Sequence, residues 1–346
     1  MDRASLAIMP SRLDVQIRRG SAVESIHRVQ AVVCDVAGRV LETTEHPELN
    51  TTWRSAAKPF QLLPLVERGH ADRWGFTEAE LAVMAASHTG SRAHIELVRS
   101  ILARIGRDER DLACGYHDPL DPDSLAEMRA HPEGRGALYN NCSGKHAGML
   151  ALALAEGWPV AGYEHADHPL QRLMRRTVAE ISGVREDQLQ TGIDGCSVVV
   201  FALPLTGMAT AYARLAAARA TGDARERSLA RIRDVMARHP YVVGGHGRFS
   251  SELMAACAGR LVSKVGAEGL ECVAWTERGV GVAVKCEDGA PRATEPAVLA
   301  VLEGIGALGP AELGALESFR RPHITNAVGL EVGRIEAELR PPTGPV

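Results

Sequence analysis

Strand-forming runs stand near both ends of this chain, and a long helix-patterned stretch lies between them. Toward the N-terminus, VQAVVCDV and RVLETTE place β-branched residues on either side of Ala37-Gly38, which predicts a hairpin. Toward the C-terminus, RLVSKVGA, ECVAWTE and GVGVAVKCED return to strand character, with a second hairpin around Arg278-Gly279. In the middle, TEAELAVMAA opens on Thr77 and Glu80, the spacing of a capping box. SRAHIELVRSILARIG runs from a Ser91 cap to a Gly106 stop. GKHAGMLALALAEG lies between Gly144 and Gly157, and HPLQRLMRRTVAEISG puts Pro169 in a first turn. Further helices are predicted over 206–219, 224–238 and 250–258 and in TEPAVLAVLEGIGAL, with a buried strand at Ser197–Ala202. DPLDPDSL reads as a turn-rich loop, GGHGRFS as a turn, and the tail RPPTGPV as frayed.

The order strands, helices, strands is satisfied by an antiparallel sheet built from both chain ends with helices packed around it, an α/β (α+β) architecture. At 346 residues the chain can bury a sizeable core as one domain. It divides into a sheet-containing part (15–50 and 260–335) and a mainly helical part (55–258). A net charge of −4 gives no electrostatic basis for a nucleic-acid partner or an acidic membrane surface. No apolar run approaches the roughly 18 residues of a membrane span, and the first twenty residues hold no apolar segment of a secretory signal. Seven cysteines, odd in number and scattered, read as reduced thiols. The expectation is a cytoplasmic protein acting on a small molecule.

Lysine is rare here. Of 39 basic residues only Lys58, Lys145, Lys264 and Lys285 are lysine, and the rest are arginine. The two differ chemically: a guanidinium keeps its proton in a protein, whereas a desolvated ammonium can become a neutral amine and accept one. The surviving lysines are therefore candidates for positions that need a proton acceptor. Lys58 lies in Ser55-x-x-Lys58, Lys145 in Cys142-x-x-Lys145, and Lys264 in Lys264-Val-Gly266; Lys285, in VAVKCED, reads as a strand-surface residue. A serine three residues before a lysine shares its face of a helical turn, as a Ser-Lys nucleophile pair requires. Pro59 disfavours helical geometry at Lys58, so 55–58 is expected as a tighter turn with a regular helix from Pro59. The competing reading is that Ser55 only caps a helix and Lys58 is solvated.

Context adds to the motif. Serine β-lactamases and penicillin-binding proteins carry S-x-x-K, then a second serine motif, then K-T-G on a late strand. Here Ser55-x-x-Lys58 is followed by Ser87-His88-Thr89 and then by Lys264-Val-Gly266 on a predicted late strand. The order matches and the letters match in part. Taken together, RSAAKPFQ, AASHTGS, NNCSGKHAGML, TGIDGCSVVVFALPL and SKVGAEG, spanning 54–269, resemble the rhizobial-type L-asparaginases of the asparaginase II family. The resemblance implies hydrolysis of L-asparagine to L-aspartate and ammonia, a serine β-lactamase-like and glutaminase-like fold, and a homodimer. It implies two Ser-Lys pairs, Ser55 with Lys58 and Ser87 with Lys264, and a zinc ion held by Cys142, Lys145 and Cys196.

Without the resemblance, Cys142 and Cys196 would read as ordinary buried thiols. Asp194 suits an α-ammonium group and Arg54 a carboxylate, while His146 is a further substrate contact; their structural readings are a turn, a surface arginine and a helix-surface histidine. Arg248 is a weaker candidate contact, and His88 is either a general base or an exposed loop residue. The scheme expected from these residues has Ser55 attacking the amide, Lys58 taking its proton and Ser87 relaying protons between Lys58 and Lys264. Alternatives are a glutaminase or other small-amide hydrolase on the same core, a penicillin-interacting hydrolase, and a non-catalytic zinc or amino-acid binding protein.

Overall fold

A computed structural model describes residues 11–340. Most of the tail expected to fray lies outside them, although Arg340 itself ends a strand. Eleven strands are present among the described residues: β1 (Arg12–Arg19), β2 (Ala22–Cys34), β3 (Val40–Thr43), β4 (Asn50–Thr52), β5 (Gln190–Ile193), β6 (Val199–Pro204), β7 (Leu261–Val265), β8 (Leu270–Trp275), β9 (Val280–Cys286), β10 (His323–Thr325) and β11 (Glu331–Arg340). The main sheet runs β10-β11-β1-β2-β9-β8-β7, with β3 paired to β2, and every pairing is antiparallel. Both chain ends therefore supply it, as the order of elements required. Both predicted hairpins form: Val32 faces Thr43 across the first, and Trp275 faces Val280 across the second. The buried strand expected at Ser197–Ala202 forms as β6, at the centre of a small second sheet β4-β6-β5 within the helical half; its partners β4 and β5, and the strands β1, β10 and β11, had no element assigned to them from the sequence.

Both faces of the sheet are covered, and this explains why β8 and β9 are buried along their whole length. Side chains alternate across a strand. Val262, Cys272, Ala274 and Ala283 join the core of the helical half, whereas Val273, Val282 and Val284 pack with the Pro291–Gly304 helix on the other side. Lys264 has the parity of Val262 and so faces the helical half. Ser263 and Glu271 have the opposite parity and face the Phe249–Ala256 helix, which packs on β7. Gly281 has a spatial role: a side chain there would strike the backbone of Ala209 and Ala213, so its absence lets the Leu205–Ala217 helix lie directly on β9.

Most of the middle follows its local signals. Thr77 and Glu80 form the reciprocal capping box before the Glu78–Met84 helix. Helices occupy Arg92–Arg104, Ser143–Ala155, Pro169–Ser182, Leu205–Ala217, Ala224–Arg238, Phe249–Ala256 and Pro291–Gly304. Three readings need correction. DPLDPDSL is not all loop: Asp121 accepts the Ser124 N–H and starts a helix over Pro122–Ala130. Ser91 precedes its helix without capping it, because its hydroxyl is engaged by His94 Nδ1 at 2.6 Å. Lys285 is not on the surface; it is buried in β9, where its amine donates to the Cys286 carbonyl. No described helix is long and apolar enough to cross a membrane.

Candidate active site

Residues 54–57 form one turn of 3₁₀ helix, the tighter turn expected before Pro59. The α-helix nonetheless begins at Lys58, which holds φ −58° and ψ −38° despite the following proline. Tertiary contacts override the local preference here: the lysine is buried and its amine is held by three hydrogen-bonding partners from elsewhere in the chain. Arg54 sits at φ 49°, a left-handed conformation costly for a residue with a side chain. Its Nε–H donates to Asp194 Oδ1 at 2.8 Å, and this ion pair pins the strained residue directly before Ser55.

Lys58 Nζ lies 2.9 Å from Ser87 Oγ, 2.7 Å from the Ala86 carbonyl and 3.3 Å from the Asn141 carbonyl. Lys264 Nζ lies 2.8 Å from the same Ser87 Oγ and 2.9 Å from the Val265 carbonyl. One hydroxyl is thus held between two buried amines, and Ser87 and Lys264 are joined directly. Ser55 and Lys58 are not: Ser55 Oγ makes no hydrogen bond to any described residue. The i, i+3 spacing brings their backbones together, but the long lysine side chain reaches past Ser55 into the Ser87 loop. Ser55 and Ser87 still share a cavity of about 390 Å³, also lined by Asn141, Arg248, Glu271 and Glu295. That size is ordinary for a small-molecule site.

Burial shapes the electrostatics. Desolvation pushes Lys58 below the ordinary lysine value, with the Cys142 charge opposing. Lys264 is pushed well below it, first by burial and then by the neighbouring charge of Lys58. The third motif lysine behaves differently. Burial alone would depress Lys145, but the charges of Cys142 and Cys196 outweigh it and leave the amine pushed up to about 12. Its Nζ lies 2.8 Å from Cys196 Sγ. Within the coupled thiol pair, a hydrogen bond from Cys196 and the charges of Lys58 and Lys145 pull Cys142 well below the usual thiol range against the cost of burial, and Cys196 is driven up. Two sulfurs and a lysine nitrogen therefore converge in one buried place.

Other candidates are placed differently from expectation. Arg54 and Asp194 are tied to each other, so each already has its counter-charge. His146 is not on a helix surface: it is fully buried, with Nδ1 2.6 Å from the Tyr163 hydroxyl and Nε2 without a hydrogen-bond partner among the described residues. His88 is neither exposed nor free. Its Nδ1 accepts the Gly90 N–H at 3.1 Å and its Nε2 meets Ser143 Oγ at 2.9 Å, so both ring nitrogens are engaged.

The L-asparaginase II family model matches residues 15–337, nearly the whole described chain.

The chain belongs to the L-asparaginase II family.

No curated protein is similar enough to this asparaginase II family member to count as a relative. Among solved structures it resembles a β-lactamase from Mycobacterium bovis at 15% identity, covering 80% of this chain and 94% of that one, with a TM-score of 0.40. It also resembles Mglu in its native form in 4.3 M NaCl, at 17% identity over 81% of this chain and 61% of that one, with a TM-score of 0.37. A putative β-lactamase from Bacteroides dorei is 10% identical over 85% of this chain and 94% of that one, again with a TM-score of 0.37. Likenesses this distant carry no argument about chemistry.

Two members of the cavity wall had no role assigned from sequence. Glu271 is buried, and its Oε1 accepts the hydroxyls of Ser250 at 2.7 Å and Ser263 at 2.6 Å. Burial raises its carboxyl to about 7 against those two hydrogen bonds. Its signal was visible as the one charge in the apolar strand LECVAW. Glu295 is half-buried in the Pro291–Gly304 helix and also raised by burial.

Proposed function

We propose that this family member hydrolyses L-asparagine to L-aspartate and ammonia through a serine acyl-enzyme, with lysine amines moving the protons. The observation that carries this reading is Ser87 Oγ, held between Lys58 and Lys264 at the wall of a cavity that Ser55 also lines. Membership of the family supports an amidohydrolase; asparagine as substrate and the Ser-Lys chemistry are our proposal.

The hydrogen bonds indicate how protons would run. A neutral Lys58 amine has two N–H groups, which the Ala86 and Asn141 carbonyls accept, and one lone pair, which is left for the Ser87 proton. Lys264 donates to Val265 and to Ser87 Oγ. Ser87 is thereby set as a relay between two bases, while Ser55 is half-exposed and unengaged. In the scheme we favour, Ser55 Oγ attacks the side-chain amide carbon, and its proton passes through Ser87 to Lys58. The C–N bond then breaks, the departing nitrogen takes a proton from the relay and leaves as ammonia, and water cleaves the ester with the same amines as bases. A second reading has a specific observation behind it: Ser87 alone has amines within 3 Å of its oxygen, and would then attack the substrate itself.

Zinc is the metal we propose for Cys142, Lys145 and Cys196. Two buried sulfurs, one already drawn toward thiolate, and a nitrogen beside them fit a three-ligand site with an open position. Lys145 would have to release its proton to ligate. When bound, zinc would supply a fixed positive charge able to polarise a nearby oxygen; the acyl-transfer steps above use only the chain's own groups. A homodimer and a cytoplasmic location are proposals drawn from the resemblance.

The test is ammonia release from L-asparagine and L-glutamine in parallel, with metal content measured on the same sample. We expect turnover of asparagine in preference to glutamine, although one methylene is worth only about 1–3 kcal/mol in a pocket. Glutamine as the better substrate would make the protein a glutaminase, and no ammonia from any amide would end the hydrolase reading. We also expect stoichiometric zinc by mass spectrometry and its loss in Cys142→Ser; a wild-type protein without metal would refute the zinc proposal.

A further inference from the structure

The cavity holding the two serines also carries charged groups to which the acyl transfer assigns no task. Arg248, at the start of the Phe249–Ala256 helix, is exposed, and its guanidinium makes no hydrogen bond or ion pair with any described residue. Glu295, in the first turns of the Pro291–Gly304 helix, likewise makes none. The two do not pair with each other, although Arg248 is near enough for its charge to act on the Glu295 carboxyl. This contrasts with Arg54 and Asp194, the residues whose charge suited a substrate, which neutralise one another at 2.8 Å. It also contrasts with Glu271, whose Oε1 is satisfied by two serine hydroxyls. Glu268 is a second carboxylate at the cavity without a partner, but it is exposed, and of these two carboxylates only Glu295 is drawn partly out of water.

An unpaired cation and a half-buried unpaired carboxylate on one cavity wall are the complement of a zwitterion. An α-amino acid brings an ammonium and a carboxylate, and each would find here the opposite charge: a half-buried Glu295 carboxylate for the ammonium, and an Arg248 guanidinium at the cavity's open side for the carboxylate. An amide lacking either group would forgo one charge-assisted contact and, where the ammonium is missing, leave the half-buried Glu295 unmatched, which discriminates more sharply than a missing methylene.

We propose that Arg248 receives the α-carboxylate and Glu295 the α-ammonium group of the substrate, so that the cavity selects amides of zwitterionic amino acids. The inference rests on the amidohydrolase reading and adds the recognition of the substrate's head group.

The experiment compares wild type, Arg248→Met, Glu295→Gln and, as a control, Glu268→Gln. The substrates are L-asparagine, succinamic acid, which lacks the ammonium, and 3-aminopropanamide, which lacks the carboxylate. Binding of L-aspartate to each protein is measured by calorimetry. Losing one charge-assisted contact should lower kcat/KM for asparagine by about 10- to 100-fold, mainly through KM. Arg248→Met should leave 3-aminopropanamide unaffected, Glu295→Gln should leave succinamic acid unaffected, and Glu268→Gln should change nothing. A variant that slows all three substrates alike, or a wild type that turns over a truncated amide as well as asparagine, would overturn the proposal. If no amide is hydrolysed, the hydrolase reading fails by itself. The clamp then stands if L-aspartate binding weakens about 10-fold or more in both variants, and falls if aspartate does not bind or binds them unchanged.

Discussion

Lys58→Arg should lower kcat by about 10²- to 10⁴-fold, the usual worth of a positioned proton-transfer group, while keeping the positive charge. The reason is a lone pair. Lys58 Nζ has its two N–H groups directed at the Ala86 and Asn141 carbonyls, at 2.7 and 3.3 Å, and what remains faces Ser87. A guanidinium has five donors and no lone pair, so it can occupy the site but cannot accept the serine proton. Lys58 is buried, and a larger side chain strains its surroundings, so Lys58→Met serves as a second variant that removes both charge and base. Both should lose turnover while still folding, which thermal melts followed by circular dichroism would check. Near-normal kcat in a folded Lys58→Arg would refute the amine as base.

The wild-type pH profile adds an independent check through Lys264. Burial holds this amine well below the ordinary lysine value, so its neutral form persists to lower pH than a solvated lysine allows. Because the relay needs unprotonated amine, activity should be level above that lowered value and decline as pH falls through it. The sign is definite: a profile that rises toward acid would contradict the mechanism.

Ser55→Ala and Ser87→Ala should both be severely impaired, but to different degrees. Removing a nucleophile outright costs about 10⁴- to 10⁶-fold in kcat. Removing a relay costs about 10²- to 10⁴-fold. On the scheme favoured here Ser55→Ala is the deeper loss. Acid-quenched turnover followed by peptide mapping should find the acyl group on the peptide that contains Ser55. An adduct on Ser87, which is held by amines at 2.9 and 2.8 Å, would make Ser87 the nucleophile and Ser55 a cavity-lining residue. Such an outcome would leave the Lys58→Arg prediction intact, since both routes pass the serine proton to a neutral amine.

How much of this could be read from the chain differs by kind of feature. Local rules spoke clearly where one physical effect dominated. The Thr77–Glu80 box formed because both partners lie within one turn, and the hairpins at Ala37-Gly38 and Arg278-Gly279 formed because turn and strand preferences agree there. Local rules failed where distant atoms outbid them. Pro59 should have kept Lys58 out of helical geometry, yet three hydrogen-bonding partners from elsewhere in the chain hold it there. The hydroxyl of Ser91 turned to His94 instead of capping. Lys285 appeared to be a surface residue because alternation along a strand exposes one face only when nothing covers it, and here the sheet is covered on both.

By itself, the sequence determined which chemistry was available: lysine at three motif positions in a chain otherwise given to arginine, two serines in order, and strands at both ends that had to meet in one antiparallel sheet. Only the tertiary structure decided who meets whom. It took Lys58 past its neighbour Ser55 to Ser87, joined Lys264 to the same oxygen across 177 residues of chain, set Arg54 and Asp194 against each other, and left Arg248 and Glu295 at the cavity with no ion pair to any described residue. The physical reason is range. Propensities and motif spacing act over a few residues, whereas the partner of a buried charge is set by whatever the packed core brings within 3 Å of it.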